Sequence, residues 1–248
     1  MITLKTPRQL AAMREAGRLA GQALQLAGSA VKPGVTTGEI DAIVYEFITK
    51  HGAKPSFLHY NGYPASACVS INNEVIHGIP GTRRILEGDI VSIDIGTILN
   101  GYQGDNAATF AAGDAGEDAL SLMSATQQSL MEGIKAARAG GRLGDIGFAV
   151  QSYVESEGYS VVRQYVGHGI GEEMHEPPDV PNYGQRGRGT RLEAGMTIAI
   201  EPMVNAGSAG VRVLSDGWTV VTLDGSLSAH FEHTVAITDN GPVILTLP

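Results

Sequence analysis

Apolar residues recur along this chain at two spacings, and their alternation predicts helices and strands in mixed order. Ile40, Ile43, Val44, Phe47 and Ile48 fall at i, i+3, i+4, i+7 and i+8, one core-facing helical stripe. Thr36-Thr37-Gly38-Glu39 leads into that helix and His51-Gly52 closes it. A first helix is expected over residues 7–27, with Pro7 tolerated at its start. A further helix is expected over 117–138 through Leu120, Met123, Leu130 and Ile134. Its acidic lead-in, Asp114 to Asp118, suits a helix N-terminus. Ile90-Val91-Ser92-Ile93-Asp94-Ile95-Gly96 reads instead as a buried strand. Asn100-Gly101 is a hairpin signal that folds the chain back towards Gly101-Tyr102-Gln103-Gly104-Asp105. Tail strands are expected around residues 218–221 and 233–237.

The pattern occurs twice. A helix from Gly144-Asp145-Ile146, with Ala149, Val150, Tyr153 and Val154 in its stripe, repeats the 38–52 segment at an offset of 106. Leu86 to Asp94 is matched by Leu192 to Glu201, at an offset of 107 at the acid. His77-Gly78-Ile79 is echoed by His168-Gly169-Ile170. Two copies make a duplication rather than a solenoid, which needs three or more. The expectation is one α+β domain over residues 1–248, with pseudo-repeats at about 34–112 and 140–238. Its halves would share a curved, mainly antiparallel sheet with helices outside, and Asp94 and Glu201 would converge near the pseudo-axis.

Composition narrows the setting. At 248 residues with 43% hydrophobic content, the chain suffices for one large core. Net charge is −9, which argues against a general nucleic-acid or acidic-membrane binder. The single cysteine, Cys68, excludes an internal disulfide and fits a cytoplasmic location. The charged, amphipathic N-terminal segment does not read as a signal peptide, and no apolar run has membrane-spanning length.

The candidate chemistry is acidic. A carboxylate inside an apolar strand, as at Asp94, demands a partner, a hydrogen bond or a cation. Asp94, Asp105, His168, Glu201 and Glu232 together form an oxygen-rich donor set suited to Mn²⁺, Fe²⁺ or Co²⁺, with Zn²⁺ compatible. Two divalent ions about 3.5–4 Å apart would neutralise four carboxylates. Taken singly, Asp105 reads first as a turn cap, and Glu232 equally well as an exposed edge residue. Glu201 ends an apolar strand before Pro202, which favours function. His168 lies between Gly167 and Gly169, with no packing reason for such backbone freedom. His77 and His175 occupy loops, where catalytic side chains concentrate. His51 reads as a helix cap, and His59, His230 and His233 as structural or supporting groups. Cys68 reads as a small buried hydrophobe. Phosphate-loop and nucleophile-elbow motifs are absent from the sequence.

Asn73 to Pro80, Ser92 to Gly96, Gly101 to Asp105, Gly167 to Gly171, His175 to Pro178, Ile200 to Met203 and Phe231 to Thr234 form seven segments. In this order they resemble the motifs of type I methionine aminopeptidases. The resemblance implies the pita-bread fold and removal of the initiator methionine from nascent chains whose second residue is small. It implies that Asp105 and Glu232 bridge two metal ions, that Asp94 completes one site, and that His168 and Glu201 complete the other. A metal-bridging hydroxide would attack the first peptide bond, with Glu201 shuttling the proton. His77 and His175 would position substrate, and His175 would stabilise the oxyanion. Tyr60, Tyr63, Cys68 and Trp218 would wall the methionine pocket. The implied partners are nascent polypeptide N-termini and, transiently, the ribosome; no nucleic-acid substrate or membrane is implied, and the form is a monomer. Met174 departs from the family's usual Phe and would soften a pocket wall, and Phe57 would alter the rim. Rival readings are a proline-directed peptidase of the same fold, a non-catalytic pita-bread protein and a contact-only ribosome factor. The five intact ligands weigh against the second, and the acidic net charge against the third.

Overall fold

The computed structural model describes residues 2–248. Four helices form where the stripes predict them: α1 Pro7–Ser29, α2 Thr37–Lys50, α3 Glu117–Ala136 and α4 Leu143–Ser156. In α1 and α2 the chain enters through a reciprocal capping box, Thr6 with Gln9 and Thr36 with Glu39, which satisfies amides that the first turn leaves free. The β-strands pair antiparallel throughout. Hydrogen bonding divides them into four ladders of four, three, three and five strands. None of the described helices is long and apolar enough to cross a membrane.

The two largest ladders are built alike. In the first half, strand Ile90–Leu99 lies between Ala67–Ile71 and Tyr102–Ala111. In the second half, Thr197–Ile200 lies between Gly167–Gly169 and His233–Thr238. Local details recur at the same spacing. Helices α2 and α4 are offset by 106 at both ends, and the isolated bridges Thr36 to Arg84 and Arg142 to Arg191 are offset by 106 and 107. Each half packs its own core. Leu19 and Ala23 of α1 and Ile40, Val44 and Ile48 of α2 cover Val69, Ile71, Ile93 and Ile95. Leu130 and Ile134 of α3 and Ile146, Val150 and Val154 of α4 cover Ile198, Ile200, Val235 and Ile237.

A seam joins the halves, and hydroxyls supply much of it. The Asp105 N–H donates to Thr234 Oγ1 at 3.1 Å, and that hydroxyl donates to the Asp105 carbonyl at 2.9 Å. The Glu232 N–H donates to the Ala107 carbonyl at 2.8 Å. Thr109 Oγ1 accepts from the His230 N–H and donates to the His230 carbonyl, both at 3.0 Å. The contacts advance by two residues on each strand, so side chains at 105, 107 and 109 share a face with those at 230, 232 and 234.

Two expectations change in detail. The tail strand is Val220–Thr222, so Trp218 and Thr219 precede it. The Asp216 carboxylate accepts both of their N–H groups at 2.9 Å, holding them in a turn that competes with ladder pairing. The glycines around His168 serve space rather than freedom. A Cβ at Gly167 would lie 2.3 Å from the Ala199 carbonyl, and one at Gly169 2.4 Å from that of Pro177. His168 lies in a strand squeezed between neighbours.

Backbone of α1 and backbone of the sheet approach closely at Gly104, where a Cβ would meet the backbone N of Gly17 at 2.5 Å and its Cα at 2.6 Å. Gly104→Ala is expected to destabilise by about 1–3 kcal/mol through overpacking, read as a lower urea midpoint. Gly81→Ala, with open space around the added methyl, should stay within about 0.5 kcal/mol of the parent.

Candidate metal centre and active site

The hairpin sets the first two carboxylates. Asn100 (φ 53°) and Gly101 (φ 81°) both adopt the left-handed conformation, which a two-residue turn of this type requires. The resulting register places Asp105 opposite Gly96 and Asp94 opposite Ala107. Asp94 and Asp105 are therefore diagonal neighbours on one face. The seam adds Glu232 from the other half. His168 comes from Gly167–Gly169, and Glu201 follows directly after Thr197–Ile200.

All five groups line one cavity of about 200 Å³. Donor atoms of Asp105, His168 and Glu232, all buried, lie within 4.8 Å of one another. His168 Nε2 is 3.6 Å from Asp105 Oδ2 and 3.6 Å from Glu201 Oε1. These gaps are long for hydrogen bonds, but two metal bonds of about 2.1 Å meeting at a tetrahedral angle span about 3.4 Å. His168 Nδ1 faces the Gly169 carbonyl at 2.8 Å. A carbonyl only accepts, so Nδ1 carries a proton and Nε2 is the nitrogen that faces the acids and would give its lone pair to a cation. Asp94 Oδ1, Asp105 Oδ1 and Glu232 Oε1 are buried without any hydrogen-bond partner. Such oxygens are costly unless a cation or proton takes them. Burial and the neighbouring Asp105 and Glu201 push the Asp94 and Glu232 carboxyls well above the usual range. Burial opposes charge on His168, yet Asp105 and Glu201 outweigh it and raise its pKa to about 9. The donor set thus fits divalent cations, with Asp105, His168 and Glu232 as the tightest group.

The remaining predicted residues surround the same cavity. His175 Nδ1 lies 2.7 Å from the Tyr60 hydroxyl, and its ring is 4.3 Å from that of His168. Burial lowers the His175 pKa and raises that of Tyr60. The phenol therefore keeps its proton and donates to Nδ1, which leaves the proton of the neutral imidazole on Nε2. His77 adopts a positive φ of 59° and packs edge-on against Tyr165 and Trp218. Burial lowers its pKa to about 4, so its ring is neutral at pH 7. Tyr63 and Trp218 meet edge to face at 5.1 Å. The Tyr63 hydroxyl shares its proton between the Ala67 and Gly78 carbonyls, pinning the residue after His77. Cys68 completes this wall.

Three further residues enter the picture. Phe57 lines the cavity, and so does Asn61. The Asn61-Gly62 dipeptide was the available signal for Asn61, whose φ is 49°. Nothing in the sequence pattern marks Tyr165 as the neighbour of His77. His230 is buried with Nε2 3.6 Å from Glu201 Oε2, in keeping with a supporting role. Met174 corrects an expectation, because it does not wall the cavity. It is buried with Met13, Ile170, Ala236 and Leu245, and its Cε is 2.6 Å from where a Cβ on Gly96 would sit. Small Gly96 leaves room behind the site, and the flexible thioether fills it.

Comparison with known proteins agrees with this acidic centre. The family model described as metallopeptidase family M24 matches residues 11–239. The chain belongs to metallopeptidase family M24. A methionine aminopeptidase of Clostridium acetobutylicum is 56% identical over 248 residues, covering 100% of this chain and 99% of the relative. The crystal structure of methionine aminopeptidase from Rickettsia prowazekii superposes with a TM-score of 0.98 at 46% identity, over 100% of both chains. Prolidase from Pyrococcus furiosus is a more distant M24-like neighbour, with a TM-score of 0.79 at 25% identity over 99% of this chain and 65% of that one.

Cations that bind only the folded centre must stabilise it by mass action, by about 2.7 kcal/mol at a hundredfold excess over Kd. Chelator-treated protein is expected to gain melting temperature on addition of Mn²⁺ or Co²⁺. Asp105→Ala should lose both that gain and the bound metal, as read by elemental analysis. Full occupancy in this variant would remove Asp105 from the ligand set.

Proposed function

We propose that residues 1–248 form one catalytic domain whose pseudo-repeats, 34–112 and 140–238, close on a dinuclear methionine-removing centre. The chain is a metal-dependent aminopeptidase acting on N-terminal methionine of polypeptides. The observation that carries the site assignment is the set of unpartnered buried carboxylate oxygens around His168 Nε2, facing an aromatic pocket. In this reading Asp94, Asp105, His168, Glu201 and Glu232 would hold two cations, with Asp105 and Glu232 shared between them. The cations are two of Co²⁺, Mn²⁺, Fe²⁺ or Zn²⁺, all compatible with O/N donors.

When bound, the metal pair supplies Lewis acidity and an acidified water able to attack the first peptide carbonyl. Glu201, at the cavity wall, takes the water's proton and returns it to the departing amide nitrogen. His175 holds its proton on Nε2 and donates it in a hydrogen bond to the oxyanion. Neutral His77, fixed by Trp218 and Tyr165, orients the first peptide group. Tyr60, Tyr63, Cys68 and Trp218, with Phe57, enclose the methionine side chain, and the thioether suits aromatic edges. A free substrate amine would bind one of the cations, which would explain cutting at the first residue alone. A small second residue fits the remaining space. Substrates are nascent chains in the cytoplasm, met by a monomer that touches the ribosome only transiently and requires neither nucleic acid nor membrane.

Metal-stripped protein reloaded with each cation is expected to release methionine from Met-Ala-Ser and to leave Leu-Ala-Ser and an Ala-Pro peptide largely intact. Preference for the Ala-Pro peptide would transfer the chain to the proline-directed branch, and inertness with every metal would sink the catalytic reading. Loss of one oxyanion donor costs about 10²–10³ in kcat. His175→Ala should show that fall in steady-state kinetics while elemental analysis finds its metals retained.

A further inference from the structure

Glu176 directly follows His175, and its side chain turns back into the loop that carries the histidine. Oε1 accepts the backbone N–H of Glu172 at 3.0 Å and that of Glu173 at 3.4 Å. Oε2 accepts from the Nζ of Lys5, which arrives from the N-terminal arm ahead of α1. The Lys5 side chain is only 3% exposed. Its backbone N–H donates to the Gly195 carbonyl at 2.7 Å, so the arm is tied down on both sides of the ammonium. No side chain fits at Gly171, where the loop begins. A Cβ there would lie 2.3 Å from Glu176 Oε1 and 2.6 Å from Lys5 Cε. The other side of the loop is held by Gln103, whose N–H donates to the Gly171 carbonyl at 2.8 Å and whose Nε2 donates to that of Glu172 at 3.2 Å.

A buried ammonium held against a partly buried carboxylate forms a stiff, charge-assisted link, because separating them leaves the ammonium uncompensated. Here one end of the link is the residue next to His175. The other end is 171 positions away, on an arm outside the lining of the cavity. We propose that Lys5 is a positioning residue: through Glu176 it latches the N-terminal arm to the 171–176 loop and sets the His175 ring against His168 and Tyr60. The catalytic consequence rests on the peptidase reading above; the geometric consequence does not.

The test uses the full chain loaded with Zn²⁺ for histidine-ring NMR and with Mn²⁺ or Co²⁺ for turnover of Met-Ala-Ser. His175 signals are assigned with His175→Gln. In Lys5→Met these signals should shift and broaden, metal content should be unchanged, and KM should stay near the parent value. A displacement of about 1 Å can cost about 10²-fold in rate, so kcat should fall by about 10- to 100-fold. Lys5→Arg, which keeps the charge, should restore the ring signals and most of kcat. Where Lys5→Met does not fold, Glu176→Gln is read in the same way, since it retains an acceptor for the Glu172 and Glu173 amides. Unchanged His175 signals in a folded variant would overturn the latch. So would a lower melting temperature with kcat and KM intact, which marks a purely structural staple. If the parent protein cleaves nothing with any metal, the peptidase reading falls, and the ring signals still decide the latch.

Discussion

Uncompensated negative charge is the constraint around which this molecule is arranged. Asp94, Asp105, Glu201 and Glu232 face one cavity, and three of their oxygens are buried with no partner. Like charges at about 4 Å repel by about 4 kcal/mol at an effective dielectric near 20. Without cations, such a cluster resists ionising together, as the raised Asp94 and Glu232 carboxyls express. Nearby histidines offset little of this charge. His77 and His175 are held neutral by burial, and His168, raised to about 9 by Asp105 and Glu201, offers one positive charge against four carboxyls. Divalent cations resolve the conflict directly, and the family to which the chain belongs is one of metallopeptidases.

The fold tolerates this cluster because its rigid parts lie elsewhere. Each half has its own apolar core beneath two helices, so the acids occupy the boundary between cores rather than the interior of either. Threonine hydroxyls at 109 and 234 extend hydrogen bonding across that boundary. They give the seam the two-residue period of a sheet although it is not a continuous ladder. Asp105 is set by that period within its strand, and Glu232, just ahead of His233–Thr238, is fixed by its N–H on the Ala107 carbonyl. A site on strands is held more rigidly than one on loops, and the two loop-borne histidines need separate restraint. For His77 this comes from Tyr63 through Gly78, and for His175 from Tyr60 and Glu176.

Much of this arrangement was readable from residues. The helical stripes located α2 and α4 closely, since apolar periodicity and capping residues are local signals. The 106-residue offset anticipated the matching of the two halves, and Asn100-Gly101 anticipated the hairpin that aligns Asp94 with Asp105. What escaped were features decided by close approach in space. The glycines beside His168 suggested freedom and proved to mark contact with Ala199 and Pro177. Trp218 was expected in a strand, but Asp216 captured its amide. Met174 was expected at the pocket and lies behind Gly96. Asp105, ambiguous by itself, took its meaning from Thr234, 129 positions away. Sequence spacing carries periodicity well and carries contact between distant segments poorly.

The boundary between the apolar wall of the cavity and its acids is one ladder step wide. Cys68 lies directly opposite Asp94 in the pairing of Ala67–Ile71 with Ile90–Leu99. One strand thus supplies a wall of the cavity and its neighbour supplies one of the cavity's acids. Such proximity threatens both functions, because a thiolate would bring charge into an apolar pocket and a soft ligand beside a hard site. Burial raises the Cys68 thiol far above its ordinary range, and the Asp94 charge raises it further. Cys68 therefore stays protonated at pH 7, a compact apolar surface beside Tyr63. The same acids that require cations keep the adjacent wall neutral. An apolar side chain in the cavity can thus rest against uncharged atoms within one ladder step of the acids.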